Sequence, residues 1–302
     1  MPEISDQELL KLILAADDEA LQEGSGPKQR FLPVITKVME KLNYKGFAIM
    51  GSAAPSIVKR ITRIHESLYR PSDLAVGGIH GGIFMFRDVF ARISVPIVYG
   101  LVNIDPLKLN DFSPMQVKWL CSRPHELHMY LDQFTDIFDF AGGIGNLGQY
   151  KPPPQEALEI FWLAAFQFQS AAAALSVAFD FRGAVQSAII GAELALKGGL
   201  AATGHDEKGR RRHGHDLSSA AEAFSNVQQQ FDLERVLTTI KRLPPYVENR
   251  YSPNQPNRLE TGHIVMGAQY IAGEVMRQIT GYSLRTAQSR PSERVYPAIA
   301  AA

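Results

Sequence analysis

The sequence predicts an α+β chain: a mixed α/β domain over residues 1–150, an all-helical domain over 151–282 and a flexible tail over 283–302. Three observations carry this. From Gln155 to Gly281 apolar residues recur at spacings of three and four, the period of helices with one buried face. Between Gly77 and Tyr99 a glycine-rich stretch precedes a run of Phe, Val and Ile that favours strands. Separating the two regions, residues 141–148 hold four glycines and Lys151-Pro-Pro-Pro154 cannot continue a helix.

In chain order, Ser5 with Glu8 caps an amphipathic helix over Ser5–Gln22, which Gly24-Ser-Gly-Pro27 ends. Arg30–Leu42 is a second helix. Gly46–Met50 is short and apolar and reads as a strand, and Pro55–Leu68 returns to helical spacing through Ile57, Ile61, Ile64 and Leu68. Gly77–Gly82 lacks the G-K-[ST] ending of a phosphate loop and reads as a tight turn. Ile83–Tyr99 follows as two strands bent at Arg87-Asp88. Ser113-Pro114 opens a helix to about Ser122, and His125–Phe140 is another. Beyond the prolines, helices are expected at Gln155–Phe179, Phe181–Thr203, Asp216–Gln230, Leu233–Leu243 and Asn257–Gly281. The tail from Ser283 has few large apolar side chains and is expected to be mobile.

Composition excludes more than it assigns. Over 302 residues the formal net charge is zero, so any affinity for a polyanion must be local. Cys121 is the single cysteine, which rules out an internal disulfide; beside Trp119-Leu120 it reads as a buried thiol. The acidic N-terminus does not look like a signal peptide. Gln167, Gln169, Ser170 and Asp180 interrupt the apolar window Ile160–Phe181, so a cytoplasmic protein with no membrane partner is expected. Ile49-Met-Gly-Ser52 suggests a nucleotidyltransferase strand, but no paired carboxylates follow it, and that activity is rejected. Asp132, Asp136 and Asp139 share a helix face, read as solvated and acidic.

The local charge lies in Gly191–His215. Lys208, Arg210, Arg211 and Arg212 precede a helix start at Asp216-Leu217, where guanidinium forks and free N–H groups suit phosphate. His213 and His215 can move protons near neutral pH. His205, Asp206, His213, His215 and Asp216 supply metal-type donors, but in no metal-binding spacing, and neither a metal nor another cofactor is expected. Tyr246, Arg250 and Tyr251 follow two prolines and offer stacking and pairing groups to a base or phosphate.

From about Gln155 to Thr280 the chain resembles the HEPN superfamily of helical domains. The resemblance rests on Ala192-Glu-Leu-Ala-Leu-Lys-Gly-Gly-Leu200, on His215-Asp216-Leu217, on Glu248-Asn249-Arg250-Tyr251, and on the small and apolar residues of Ile264–Ile279. Gly198-Gly199 departs from the alanine and leucine common there. The resemblance implies an up-and-down helical bundle, a homodimer, and association with nucleotides or RNA. RNase members carry an R-x(4–6)-H signature at a later helix start. Arg210-x4-His215 matches the spacing but lies between the second and third helices. The expectation is therefore a nucleotide- or RNA-binding protein without strong catalysis, using Arg210, Arg211, Arg212, His215, Tyr246, Arg250 and Tyr251. Two alternatives stand beside it. One is a metal-independent endoribonuclease using Arg210 and His215, with His213 as substitute; the other is an interaction scaffold with no nucleic-acid role.

Overall fold

The computed structural model describes residues 4–49, 51, 53–74, 78–97, 100, 102–147, 150–245, 256–287 and 294–298. The protein is mostly helical with one small antiparallel sheet, an α+β architecture. It divides into two compact units, 1–77 and 78–302.

The first unit is helical among its described residues. α1 (Asp6–Gln22) starts in the expected capping box of Ser5 and Glu8. It packs Leu9, Ile13 and Ala16 against Val34, Ile35 and Val38 of α2 (Phe31–Lys41), and against Ile57, Val58 and Ile61 of α3 (Ser56–Ser67). A short α4 (Pro71–Leu74) follows. The strand expected at Gly46–Met50 does not form over 46–49. Gly46 turns the chain at φ 68°, and Phe47 and Ile49 pack onto the helical core instead of pairing. A polar cluster lies inside this unit. Arg30 donates to Asp17 (3.1 Å) and to the Tyr69 hydroxyl (3.1 Å), and Tyr69 donates to Asp17 (2.6 Å).

The second unit opens with β1 (His80–Phe86) and β2 (Val89–Val95), joined at Arg87-Asp88 with Ile83 opposite Arg92. Gly81 and Gly82 belong to β1 and not to a tight turn. A Cβ on Gly82 would stand 2.5 Å from Gln269 and 2.6 Å from Ile137, so the glycine lets helices reach the strand. α5 (Pro114–Cys121) keeps its predicted Ser113 cap. Cys121 is exposed and not buried, because Leu120 is the residue of α5 that turns inward. α6 (Pro124–Ile144) runs on through Ala141-Gly142-Gly143, the stretch expected to form a linker. These glycines are packing positions: Gly142 meets the Tyr150 ring and Gly143 meets Met276.

α7 (Gln155–Ala173) ends in a π-helical turn at Ala174–Ala178, and α8 (Phe181–Ala202) returns antiparallel to it. Gly191 fits under the Phe168 ring and Gly198 under Phe161. Gln155–Val177 is long and apolar enough to cross a membrane by length and composition. Its Ala157, Phe161, Ala164 and Phe168 are buried in the protein core, while Leu163 and Phe166 are exposed. α9 (Glu207–Arg211), α10 (Leu217–Ser225), α11 (Leu233–Ile240), α12 (Arg258–Thr280) and α13 (Leu284–Ala287) complete the unit.

α12 is the central helix. Gly273 lies against the Asp136 backbone, so α12 runs parallel to α6 in close contact. The predicted boundary near residue 150 therefore falls inside one compact unit. Tyr130, Phe134 and Ile137 of α6 share a core with Met266 of α12, and β1 packs on α6, α7 and α12.

The predicted acidic face and mobile tail both need correction. Asp132, Asp136 and Asp139 are at most 2% exposed. Arg277 donates to Asp136 (2.9 Å), Asp139 (3.1 Å) and Glu274 (2.8 Å). From the tail, Arg285 pairs with Asp132, and Arg294 pairs with Asp136 at 2.5 Å. The N–H groups of Val295 and Tyr296 donate to Asp132 at 2.8 and 3.0 Å. The described part of the tail is thus held by ion pairs and hydrogen bonds, an attachment that hydrophobic patterning does not register. Burial raises the Asp139 carboxyl above its usual range, against Arg277 and the Tyr150 hydroxyl. Burial pushes Glu274 up too, but Arg277 outweighs it and holds the group low.

Candidate functional site

The basic turn begins where α8 stops. Gly204 adopts φ 92°, a left-handed conformation that glycine takes without strain, and Asp206 then caps α9 by accepting the Gly209 N–H at 2.7 Å. Asp216 caps α10 in the same way, accepting from Ser219 at 3.1 Å. Both aspartates of the possible metal set thus serve helix ends. Among the described residues no group of three His, Cys, Asp or Glu side chains is placed to hold a metal ion.

The cations of the turn separate into two kinds. Arg210 is buried; its guanidinium donates to Glu156 of α7 at 2.5 Å and to the His205 carbonyl. Lys208, Arg211 and Arg212 are exposed, with Arg211 in a solvent-facing pair with Glu207 at 2.5 Å. The buried guanidinium of Arg210, bonded to the exposed Glu156 and to the His205 carbonyl, braces α7 against the turn, whereas the Arg211–Glu207 pair, exposed on both sides, is weak and is readily exchanged for another anion.

The histidines are positioned by side chains. His213 Nδ1 lies 2.8 Å from the Ser219 hydroxyl. His215 Nδ1 lies 2.9 Å from Oε2 of Glu193, and the other oxygen of Glu193 accepts from Lys197 at 2.6 Å. Glu193 is 8% exposed, while the His215 side chain is 58% exposed. A buried carboxylate therefore orients a largely solvent-exposed imidazole. Within the Arg210-x4-His215 pattern the two residues bond to different glutamates, Arg210 to Glu156 and His215 to Glu193. Glu193 and Lys197 are the residues that motif reading missed as a site. Their signal is their i, i+4 spacing in Ala192-Glu-Leu-Ala-Leu-Lys197.

An Arg-x4-His spacing also occurs at Arg258 and His263, at the start of α12. Five residues of helix rotate side chains about 140° apart, and these two diverge accordingly. Arg258 lies over Phe90 (4.9 Å) and Phe179 (5.1 Å) and donates to the Asp88 carbonyl, whereas His263 stacks on Tyr296. Tyr246, Arg250 and Tyr251 lie outside the described residues.

Comparison of the chain with protein-family models, curated proteins and solved structures found no match.

Proposed function

We propose that residues 155–280 form a HEPN-like bundle that binds RNA or a nucleotide phosphate at the basic turn, without strong catalysis. The observation that carries this reading is the turn's division of labour. Arg210 fixes the turn to α7, and Lys208, Arg211 and Arg212 are left at the surface beside an oriented His215. Exposed arginines next to the start of α10 suit phosphate oxygens. The guanidinium that catalysis would need is the one tied to Glu156. The resemblance adds a homodimer to the proposal, and the polar N-terminal sequence adds a cytoplasmic site of action. Neither a metal nor an organic cofactor has a role in it.

The test is binding of a fluorescently labelled single-stranded RNA as a function of salt. The triple variant K208A/R211A/R212A is expected to weaken binding and to make the salt slope shallower by about 2, the value for three lost phosphate contacts on a single strand. No binding at low salt would favour the scaffold reading.

A second reading is favoured by the Glu193–His215 contact. A carboxylate-oriented imidazole is the arrangement of a general acid or base, so a metal-independent endoribonuclease is the alternative. Cleavage of RNA in EDTA that is lost in His215→Ala and reduced in Glu193→Gln would establish it.

A further inference from the structure

A second candidate site lies at the far end of α12. Gly199, near the end of α8, packs on Val275, so the basic turn belongs to the C-terminal end of α12. Seventeen residues earlier, about 25 Å along the helix axis, is the N-terminus of α12. There an open cavity of about 1160 Å³ is bordered by the start of α6, the chain leaving α11, the first turns of α12 and the docked segment 294–298. This is a small-molecule scale of volume, slightly above that of most ligand pockets.

Its walls divide by chemistry. Leu243, Pro244, Pro245, Leu259 and Ile264 form an apolar floor and side. Lys241 and Arg242 are exposed at the edge, and Arg242 is anchored by a 3.3 Å bond to the Ala298 carbonyl. His125 and His263 add two imidazoles. Glu260 is the sole carboxylate among the described lining residues, and it already accepts the Asn257 N–H at 3.0 Å in the α12 capping box. The positive end of a 23-residue helix dipole faces the same space. Tyr296 closes one wall, 5% exposed, with its ring stacked 6.1 Å from that of His263 and its hydroxyl donating to the His263 carbonyl. Desolvation by its neighbours, helped by Arg242, keeps the exposed His263 imidazole below its ordinary pKa. Its ring, stacked on Tyr296, adds a polarisable surface to the cavity.

We propose that this cavity binds a small organic anion with an apolar body, an aromatic carboxylate or phosphate ester. The apolar part lies on the proline and leucine wall and against the Tyr296–His263 stack, and the anionic group meets Lys241 and Arg242. The binding energy is divided accordingly: burial of the body supplies most of the affinity, and the two cations select for charge.

The experiment is titration calorimetry of the full chain with three probes of one shape: 1-naphthoate, 1-naphthyl phosphate and uncharged 1-naphthol. At least one anion is expected to bind saturably, one per chain, at least about tenfold tighter than naphthol; which anion wins assigns the head group. Lys241→Ala with Arg242→Ala brings the anion down to the naphthol level. Leu259→Trp, which sets a bulky ring on the apolar wall at a half-exposed residue, changes the affinity for all three. Histidine ring resonances must report His263 shifting on titration. Thermal melts confirm that the variants are folded. Equal affinity for naphthol, affinities that Leu259→Trp leaves unchanged for all three probes, or no saturable binding at millimolar probe would each overturn the proposal. K208A/R211A/R212A leaves probe binding unchanged, so this site and the RNA reading stand or fall separately.

Discussion

The side-chain amide of Gln269 and the main chain of Ile83 exchange two hydrogen bonds, each 2.8 Å long. Gln269, on α12, thereby does for β1 what a neighbouring strand would do. It pairs both backbone groups of a residue that is fully buried. A two-stranded hairpin alone is marginal in water, and this contact joins it to the central helix. Gln269→Leu keeps the volume and removes both bonds. It is expected to cost about 2–4 kcal/mol, the penalty for one buried donor and one buried acceptor left unpaired, measured by urea unfolding.

Asp136 is expected to be among the most sensitive positions. It is fully buried between Arg277 and Arg294. Asp136→Ala leaves two buried guanidinium groups short of an anion and should destabilise by about 3–5 kcal/mol. Deleting residues 283–302 removes Arg285 and Arg294, and should lower the melting temperature markedly although few large apolar residues are lost.

Gly273→Ala tests the α6–α12 contact without touching charge. The added methyl carbon would stand 2.7 Å from the Asp136 carbonyl oxygen and 2.9 Å from its Cα, both backbone atoms. The helices must separate, at a cost of about 1–3 kcal/mol, despite the better helix propensity of alanine.

Stability should fall in mild acid. Burial depresses the His80 imidazole to about 3, against an ordinary 6.5, and burial also lowers His65. The unfolded chain then takes up protons that the folded chain refuses. The stabilisation is complete above pH 6.5 and is lost as the pH falls toward 3, by about 1.4 kcal/mol per unit for His80 once it lags fully. Urea unfolding between pH 7 and 4 should show this slope. His80→Leu, in its apolar site between Phe140 and Phe168, should flatten it by one proton's worth.

Arg210→Ala is expected to separate from its neighbours. Loss of the buried partner of Glu156 should lower the melting temperature, while the folded variant retains most RNA affinity. Arg211→Ala with Arg212→Ala should do the reverse. Melting curves and RNA titrations on the same samples decide the matter.

The helices were legible because their signal is local. Ile264, Ala268, Ile271 and Val275 are spaced for one face, and all four are buried. The Arg87-Asp88 bend was legible for the same reason. The acidic residues of α6 misled because charge usually marks solvent, and the arginines that pair with them lie 138 to 158 positions away. Gly142 and Gly143 read as linker because only Tyr150 and Met276, unseen in a local window, show why a side chain cannot fit. In the basic turn, His215 was visible as a candidate. Glu193, which orients it, lies 22 residues upstream, and Glu156, which pairs with Arg210, lies 54 upstream.

The anchoring of residues 294–296 on α6 has a consequence for how the chain is made. Asp132 and Asp136 leave the ribosome more than 150 residues before Arg285 and Arg294, the cations that neutralise them. Until then, closing α6 against α12 would strand carboxylates in an apolar interior, with Arg277 alone to balance them. Completion of the second unit therefore waits until Arg294 has been made, and a nascent chain stalled anywhere before residue 294 should remain open to proteases and chaperones.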